Sequence, residues 1–406
     1  MNSNRNAVRA TDALMVLSRR SLLKGSMACA AGLLCGPHAL AQDPGKPTPA
    51  TKRRPVIDIT DLYHPPQDPG DNVDLIAAYA LPEVDLRAVI LDVTGRYRRP
   101  YVNPTDHSYD DPAGHRDPGF IPVLQLNAIF GKDVPCAVGP FEAMRRPEDP
   151  MTDAPAFQQF GVALLLRTLR ESAEPVDVVS FGSARPLAVA YNREPRLLEE
   201  KVRRVHLCAG GAPPGYLEWN VQLDPHAFVR VLRSNLRVAL YPCATDKGPM
   251  DVGQHNTYWR LPNLETIRGM APALRRYLAF ALERNARADF LAAMEEDPPE
   301  DVVNRIAAQP HNVWETAVWM EVANRKLVRR ADGHYRIIPA PEVAPGDTVV
   351  SSELRPCTIN VHDDGQFDFS LTDQDSRFQI YYRADPQENQ RALQEALPAL
   401  YQRFKP

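Results

Sequence analysis

Short apolar runs alternate along this chain with stretches in which apolar residues return every three or four positions. Residues 54–60, 86–93, 176–181, 202–208 and 237–241 are compact runs rich in Val, Ile and Leu, and they predict buried strands. Between them, residues 73–81 (stopped by Pro82), 157–172, 186–191 and 224–232 carry the helical period. Strand–helix alternation of this kind predicts an α/β fold, a mostly parallel central sheet flanked by helices. In such sheets ligands bind beyond the carboxyl ends of the strands, which locates the expected chemistry before any motif is read.

Two stretches break the rhythm. Residues 96–120 are rich in Tyr, Pro, Asp and His and predict a long loop, with His107 and His115 either lining a lid or simply solvated. Residues 247–310 predict a mainly helical insertion, including one long helix over 274–294 that ends in an acidic, Pro-rich stretch. The C-terminal extension returns to strands near Ile337 and at 358–361 and 378–382, and closes with a helix over 386–404. Asp363-Asp364-Gly365 reads as a hairpin turn.

The N-terminus has a different character. Ser18-Arg19-Arg20-Ser21-Leu22-Leu23-Lys24 precedes a short apolar run and then Ala39-Leu40-Ala41. A charged start, a short hydrophobic centre and a small-x-small end make an export signal, and the paired arginines make it the twin-arginine kind. Residues 1–41 are therefore expected to be a twin-arginine signal peptide and 42–54 a Pro-rich linker, with 55–406 the folded domain. The partner implied is the twin-arginine export machinery, and the expected location is the periplasm or the medium. No membrane attachment is expected after cleavage, because the apolar run is too short to anchor the chain.

Composition narrows the field. With 44% hydrophobic and 24% charged residues, the 406-residue chain buries a substantial core. A net charge of -4 offers no polybasic surface, so a nucleic-acid polymer is not an expected partner. Cys136, Cys208, Cys243 and Cys357 lie beyond the signal and are too widely spaced for a zinc motif. Cys208 and Cys243 sit in apolar runs that favour buried free thiols, and their pairing as a disulfide stays open, as does a homo-oligomer.

The residues with the clearest chemistry follow the first strand. Asp58, Asp61, Asp68, Asp71 and Asp74 fall within 17 residues. Helix capping accounts for one or two of them. Five carboxylates where a strand meets a helix also form a hard-oxygen set suited to Ca²⁺.

Here the sequence resembles a known family. Thr60-Asp61-Leu62, Asp71 to Ala80 and Pro82-Glu83-Val84-Asp85-Leu86 are similar to the first strand, helix and Pro-Glu pair of the inosine-uridine nucleoside hydrolases. Val178 to Ala188 resembles their Gly-Pro-Leu turn, and Val205 to Gly211 their Gly-Gly segment. Glu218-x-Asn220-x-x-x-Asp224-Pro225-x-Ala227 matches a family segment at the same spacing. The likeness covers roughly residues 54–245, with a weaker patch at 311–323.

This resemblance implies a nucleoside-hydrolase-like fold and cleavage of the N-glycosidic bond of a purine or pyrimidine ribonucleoside, or a related ribosyl compound, by a metal-activated water. The alternative is a catalytically degenerate nucleoside- or sugar-binding protein of the same fold. Carried over residue by residue, Asp61 would ligate Ca²⁺ and act as base, and Asp71 would be a second ligand. Asp74 would hold a ribose hydroxyl, the Arg185 carbonyl would ligate the metal, and Glu218 and Asn220 would bind ribose. His311 would be catalytic and Asn312 a metal ligand, where the family has a carboxylate; Glu315 stands near enough to substitute. Gly70 occupies the place of a ribose-binding aspartate, and the loop 62–70 is longer than the family's turn. Trp314 and Trp319 read as core residues, with stacking on a nucleobase as an alternative for Trp314.

Overall fold

Six parallel strands carry the centre of the fold: β1 (Arg54–Thr60), β2 (Val84–Leu91), β3 (Cys136–Val138), β4 (Val176–Ser180), β5 (Val202–Leu207) and β6 (Val238–Leu240). Their order in space is β3-β2-β1-β4-β5-β6, so the sheet changes direction of growth between β1 and β4. The computed structural model describes residues 53–66, 68–98, 116–284 and 287–406. The expected signal peptide, nearly all of the linker, and His107 and His115 lie outside the described residues.

Helices cover both faces of the sheet, as the alternating pattern requires. In β1, Ile57 and Ile59 face a core shared with α3 (Phe160–Glu171), α4 (Arg185–Arg193), α5 (Pro195–Lys201) and α7 (Pro225–Leu232). Val56 faces the opposite core, built with α1 (Pro69–Ala80), α2 (Phe120–Phe130), α8 (Pro272–Leu282), α9 (Glu300–Ala307), α10 (Thr316–Val322) and α11 (Pro386–Tyr401). Period-two alternation along the strand assigns its residues to the two layers. The short α6 (Trp219–Leu223) stands just before α7.

β7 (Trp259–Leu261) and β8 (His311–Val313) form an antiparallel pair, and β9 (Arg325–Arg329), β10 (Tyr335–Pro339) and β11 (Thr348–Val349) a small sheet. β12 (Ser352–Val361), β13 (Phe367–Leu371) and β14 (Phe378–Arg383) lengthen the central sheet to nine strands. β14 runs parallel to β6, whereas β12 pairs antiparallel with both β14 and β13. The turn at Asp363-Asp364-Gly365 joins β12 to β13 as expected.

Some boundaries differ from the sequence expectation. The helix α1 begins at Pro69 rather than at residue 73, because Asp68 caps it: its Oδ1 accepts from Gly70 N at 2.7 Å, and Pro69 supplies a ready-made first turn. The long helix expected over 274–294 breaks. α8 stops at Leu282, Arg284 takes a left-handed backbone (φ 57), and the chain resumes as a short 3-10 turn at Ala292–Glu295. Arg287 pairs with Asp289 and Glu296, which braces the segment beyond the break. α2 and β3 had no expectation in the sequence.

Candidate functional site

The reversal point between β1 and β4 is where an open parallel sheet leaves a crevice at its carboxyl edge. Asp61 follows β1 immediately and Phe181 follows β4, and both line a cleft of about 300 Å³. The start of α1 adds Asp68 and Asp71, and the segment after β5 adds Tyr216, Glu218, Trp219 and Asn220. Cys243, Pro249 and Met250 come from the segment after β6, and Trp314 and Glu315 from the link between β8 and α10. Trp219 and Met250 are exposed, so they belong to the rim.

The carboxylates crowd one another. Asp61 and Asp71 are close enough for each carboxyl to shift the titration of the other. Burial, then the charges of Asp61 and Glu315, hold the Asp71 carboxyl well above the usual range. Burial likewise raises Asp61, with Asp71's hydrogen bond pulling the other way. Beneath the cleft, burial and the neighbouring Glu315 push Asp58 up to about 8, and its Oδ1 has no hydrogen-bond partner.

That last feature has a measurable sign. Asp58 is raised in the folded state, so the folded protein binds the proton more tightly than the unfolded chain. Its favourable contribution is complete below about pH 4 and is lost as pH rises through about 8. Asp58→Asn is expected to flatten the fall in stability across that window, read as urea midpoints at the acidic and alkaline ends. A wild-type-like slope in the variant would refute the assignment.

On the opposite wall, Glu218 caps α6. Its carboxylate accepts from Asn220 N (3.0 Å), Val221 N (3.4 Å) and Gly210 N (2.9 Å). Burial pushes it up to about 7, against the pull of those backbone N–H groups. Asn220 commits its amide NH₂ to the carbonyls of Phe181 (3.2 Å) and Cys208 (2.9 Å), leaving its amide oxygen as the group to offer a ligand. Trp314 donates Nε1 to the Cys243 carbonyl (2.9 Å) and packs against Tyr258 with ring centroids 5.3 Å apart. It therefore stands in the cleft wall, whereas Trp319 is buried against Phe181.

Of the residues singled out from sequence, Asp61, Asp71, Glu218 and Asn220 meet at this cleft, and Glu315 joins them. Four others do not line it. Asp74 is turned into the core, where burial and the charge of Glu315 raise its carboxyl and its Oδ1 accepts from Tyr401 OH at 3.3 Å. His311 is buried in β8; desolvation lowers it to about 4, so near pH 7 it is a neutral imidazole without the second ring proton of an imidazolium. Asn312 spends its amide oxygen on the Tyr258 hydroxyl at 3.1 Å.

Arg185 is fully buried. It is ion-paired to Asp224 at 2.7 Å and donates to the carbonyls of Val93, Pro140 and Leu223. A guanidinium with no access to water must satisfy its donors internally, and this one ties the ends of β2 and β3 to α6. Gly70 also has a local reason: a Cβ there would come within 3.0 Å of the capping Asp68 Oδ1.

The sequence reading missed Phe181, Tyr216, Trp219, Cys243 and Met250 as cleft residues, and Asp92 as their support. Asp92 Oδ1 accepts from the Ser183 hydroxyl at 3.0 Å and Oδ2 from the Ser183 N–H, joining the ends of β2 and β4. A Cβ on Gly182 would strike that carboxylate, so the glycine belongs to the buttress rather than to the ligand wall. An acid directly after a predicted strand, as in Leu91-Asp92, was the available signal.

The donor chemistry fits a divalent cation in one respect. Burial and mutual repulsion hold Asp61 and Asp71 above the usual carboxylate range, and a hard cation between them would favour their ionised forms. Among the described residues, however, no three His, Cys, Asp or Glu side chains are grouped so that they could hold a metal ion. Further ligands would have to be carbonyl oxygens and water, which Ca²⁺ accepts.

No family model matches the chain. Among curated proteins, the pyrimidine-specific ribonucleoside hydrolase RihA of Escherichia coli is 27% identical over 198 residues, covering 43% of this chain and 57% of that protein. The match thus spans little more than half of the relative's length. Among solved structures, the inosine-uridine preferring nucleoside hydrolase of Bacillus anthracis aligns over 87% of this chain and 100% of its own, with 14% identity and a TM-score of 0.44. A plant nucleoside hydrolase aligns over 85% and 99%, with 15% identity and a TM-score of 0.48. The sequence match thus makes the chain similar to a ribonucleoside hydrolase over 198 residues, at 27% identity.

Proposed function

We propose that this protein hydrolyses the N-glycosidic bond of a ribonucleoside or a closely related ribosyl compound. The observation that carries the reading is the Asp61–Asp71 pair, set in one cleft with Glu218, Asn220 and Trp314. Bond cleavage of this kind develops positive charge on the sugar, and carboxylates beside the ring stabilise it. Asp61 accepts the proton of the attacking water. Glu218 and the Asn220 amide oxygen accept from ribose hydroxyls, and a sugar lacking them leaves buried polar groups unpaired. Trp314 supplies a flat apolar face for the leaving base.

Ca²⁺ is the proposed cofactor, with Asp61 and Asp71 as its carboxylate ligands; when bound it lowers the pKa of its water. Calcium titration of the purified protein, followed by thermal unfolding, tests this without reference to turnover. Saturation at one hundred times the dissociation constant is expected to stabilise the fold by about 2.7 kcal/mol relative to chelator. A panel of purine and pyrimidine nucleosides assayed for ribose release completes the test. No calcium stabilisation and no release would overturn the reading. Binding of a nucleoside without release would favour a degenerate binding protein, the reading that Asn312 supports, since it stands where the family has a carboxylate.

We also propose export by the twin-arginine route, on the strength of residues 18–41. Replacing Arg19 and Arg20 together by Lys is expected to shift the protein from the periplasmic to the cytoplasmic fraction. An unchanged distribution would count against it.

A further inference from the structure

The thiols of Cys208 and Cys243 lie 3.4 Å apart, side by side behind the cleft wall. Cys208 follows β5 and Cys243 comes shortly after β6, two neighbouring parallel strands whose pairing continues past their ends: Cys243 N donates to the Gly210 carbonyl at 2.9 Å. Both are free thiols, as are Cys136 and Cys357. Both are buried, but Cys243, 5% exposed, reaches the cleft surface, whereas Cys208 does not line it.

The backbone of the pair serves the cleft. The Cys208 carbonyl holds the Asn220 amide, and the Cys243 carbonyl holds the Trp314 indole, each at 2.9 Å. The Cys208 thiol also lies 3.9 Å from the Trp314 carbonyl. Whatever moves the two sulfurs therefore pulls on two ligand-facing side chains drawn from different elements.

We propose that Cys208 and Cys243 are a modification site, closing to a reversible disulfide that shifts Asn220 and Trp314. The step balances by thiol–disulfide exchange with a small disulfide such as oxidised glutathione. Cys243, reached through the cleft, first gives up the proton that burial makes its thiol hold tightly; its sulfur then attacks the reagent, and the released glutathione thiolate takes up a proton. Cys208 then loses its proton, attacks the Cys243 sulfur, and releases the second. The protein's two thiols are oxidised to one S–S bond, and the reagent disulfide is reduced to two thiols. Forming the bond shortens the sulfur separation by about 1.3 Å, to the usual S–S length. A shift of that size is small for a fold and large for a binding wall.

The test uses the full chain treated with oxidised glutathione. Peptide mapping without reduction is expected to join the Cys208 and Cys243 peptides, with loss of both thiols to alkylation after unfolding, and dithiothreitol should restore them. Cys208→Ala should instead trap glutathione on Cys243, while Cys243→Ala should leave Cys208 unmodified. Alkylation of both thiols, or a stable mixed disulfide on wild-type Cys243, would overturn the proposal. Tryptophan emission reads the coupling. Oxidation is expected to shift it in the wild type and not in Trp314→Phe, and an unshifted wild type would refute the link to the cleft. Neither readout depends on turnover, so the site stands or falls separately from the hydrolase reading.

Discussion

Asp61→Asn is expected to lower kcat/KM for a nucleoside by roughly 10²–10⁴-fold, the usual range for removing a positioned general base. The same substitution is expected to stabilise the protein in chelator. Asp61 is held above its normal range chiefly by burial and the nearby carboxylates, so its ionised form is a cost to the cation-free fold. Asn keeps the shape and loses the charge. Calcium should then no longer raise the unfolding temperature, since one of the two proposed ligands has become neutral. Activity in nucleoside assays and thermal unfolding with and without calcium thus move in opposite directions, as is common where a site is built at the expense of stability. Wild-type turnover by the variant would remove Asp61 from the chemistry. Lowered stability in chelator would contradict the electrostatic account.

The second large effect is expected far from any ligand. Arg185→Met should cost about 3–5 kcal/mol, the range for breaking one half of a buried ion pair. Asp224 would remain without its charge partner, and the carbonyls of Val93, Pro140 and Leu223 would lose their donor. Asp224 also accepts from Met144 N at 2.8 Å and caps α7 through Ala227 N at 3.0 Å. Its neutral replacement, Asp224→Asn, is therefore expected to weaken the fold as well. The double variant should cost less than the sum of the two, because each single change strands the other group. Urea unfolding of the four proteins measures the coupling. Additive costs, or a cost for Arg185→Met below about 1 kcal/mol, would show that the pair does not tie the strand ends to α6.

Arg185 also shows what reading by motif leaves out. Its place in the Gly182-Ser183-Ala184-Arg185-Pro186 turn made it an expected metal ligand through its carbonyl. Nothing in a linear pattern says that its side chain would be buried between strand ends and a helix more than thirty residues away. Asp74 is a similar case. Asp71 and Asp74 are one helical turn apart and equivalent as sequence, yet Asp71 faces Asp61 in the cleft while Asp74 meets Tyr401 of α11. The C-terminal helix decides between them, and it lies more than three hundred residues along the chain.

What the sequence determined by itself was local or periodic. Apolar runs and helical spacing specified a parallel α/β sheet, because burial on two faces leaves a Val-, Ile- and Leu-rich strand few other places. The position of Asp61 at the end of β1 followed from the same pattern, as did the segment from Glu218 to Asp224, whose caps act within a few residues. The tertiary structure decided everything that depends on distant chain segments meeting. It chose Asp71 over Asp74, withdrew His311 and Asn312 from the cleft, and brought Glu315, Phe181 and Met250 into it. It also set Cys208 beside Cys243, because β5 and β6 are neighbours in the sheet and the chain returns between them. Periodicity fixes which face a residue shows; only packing fixes what that face meets.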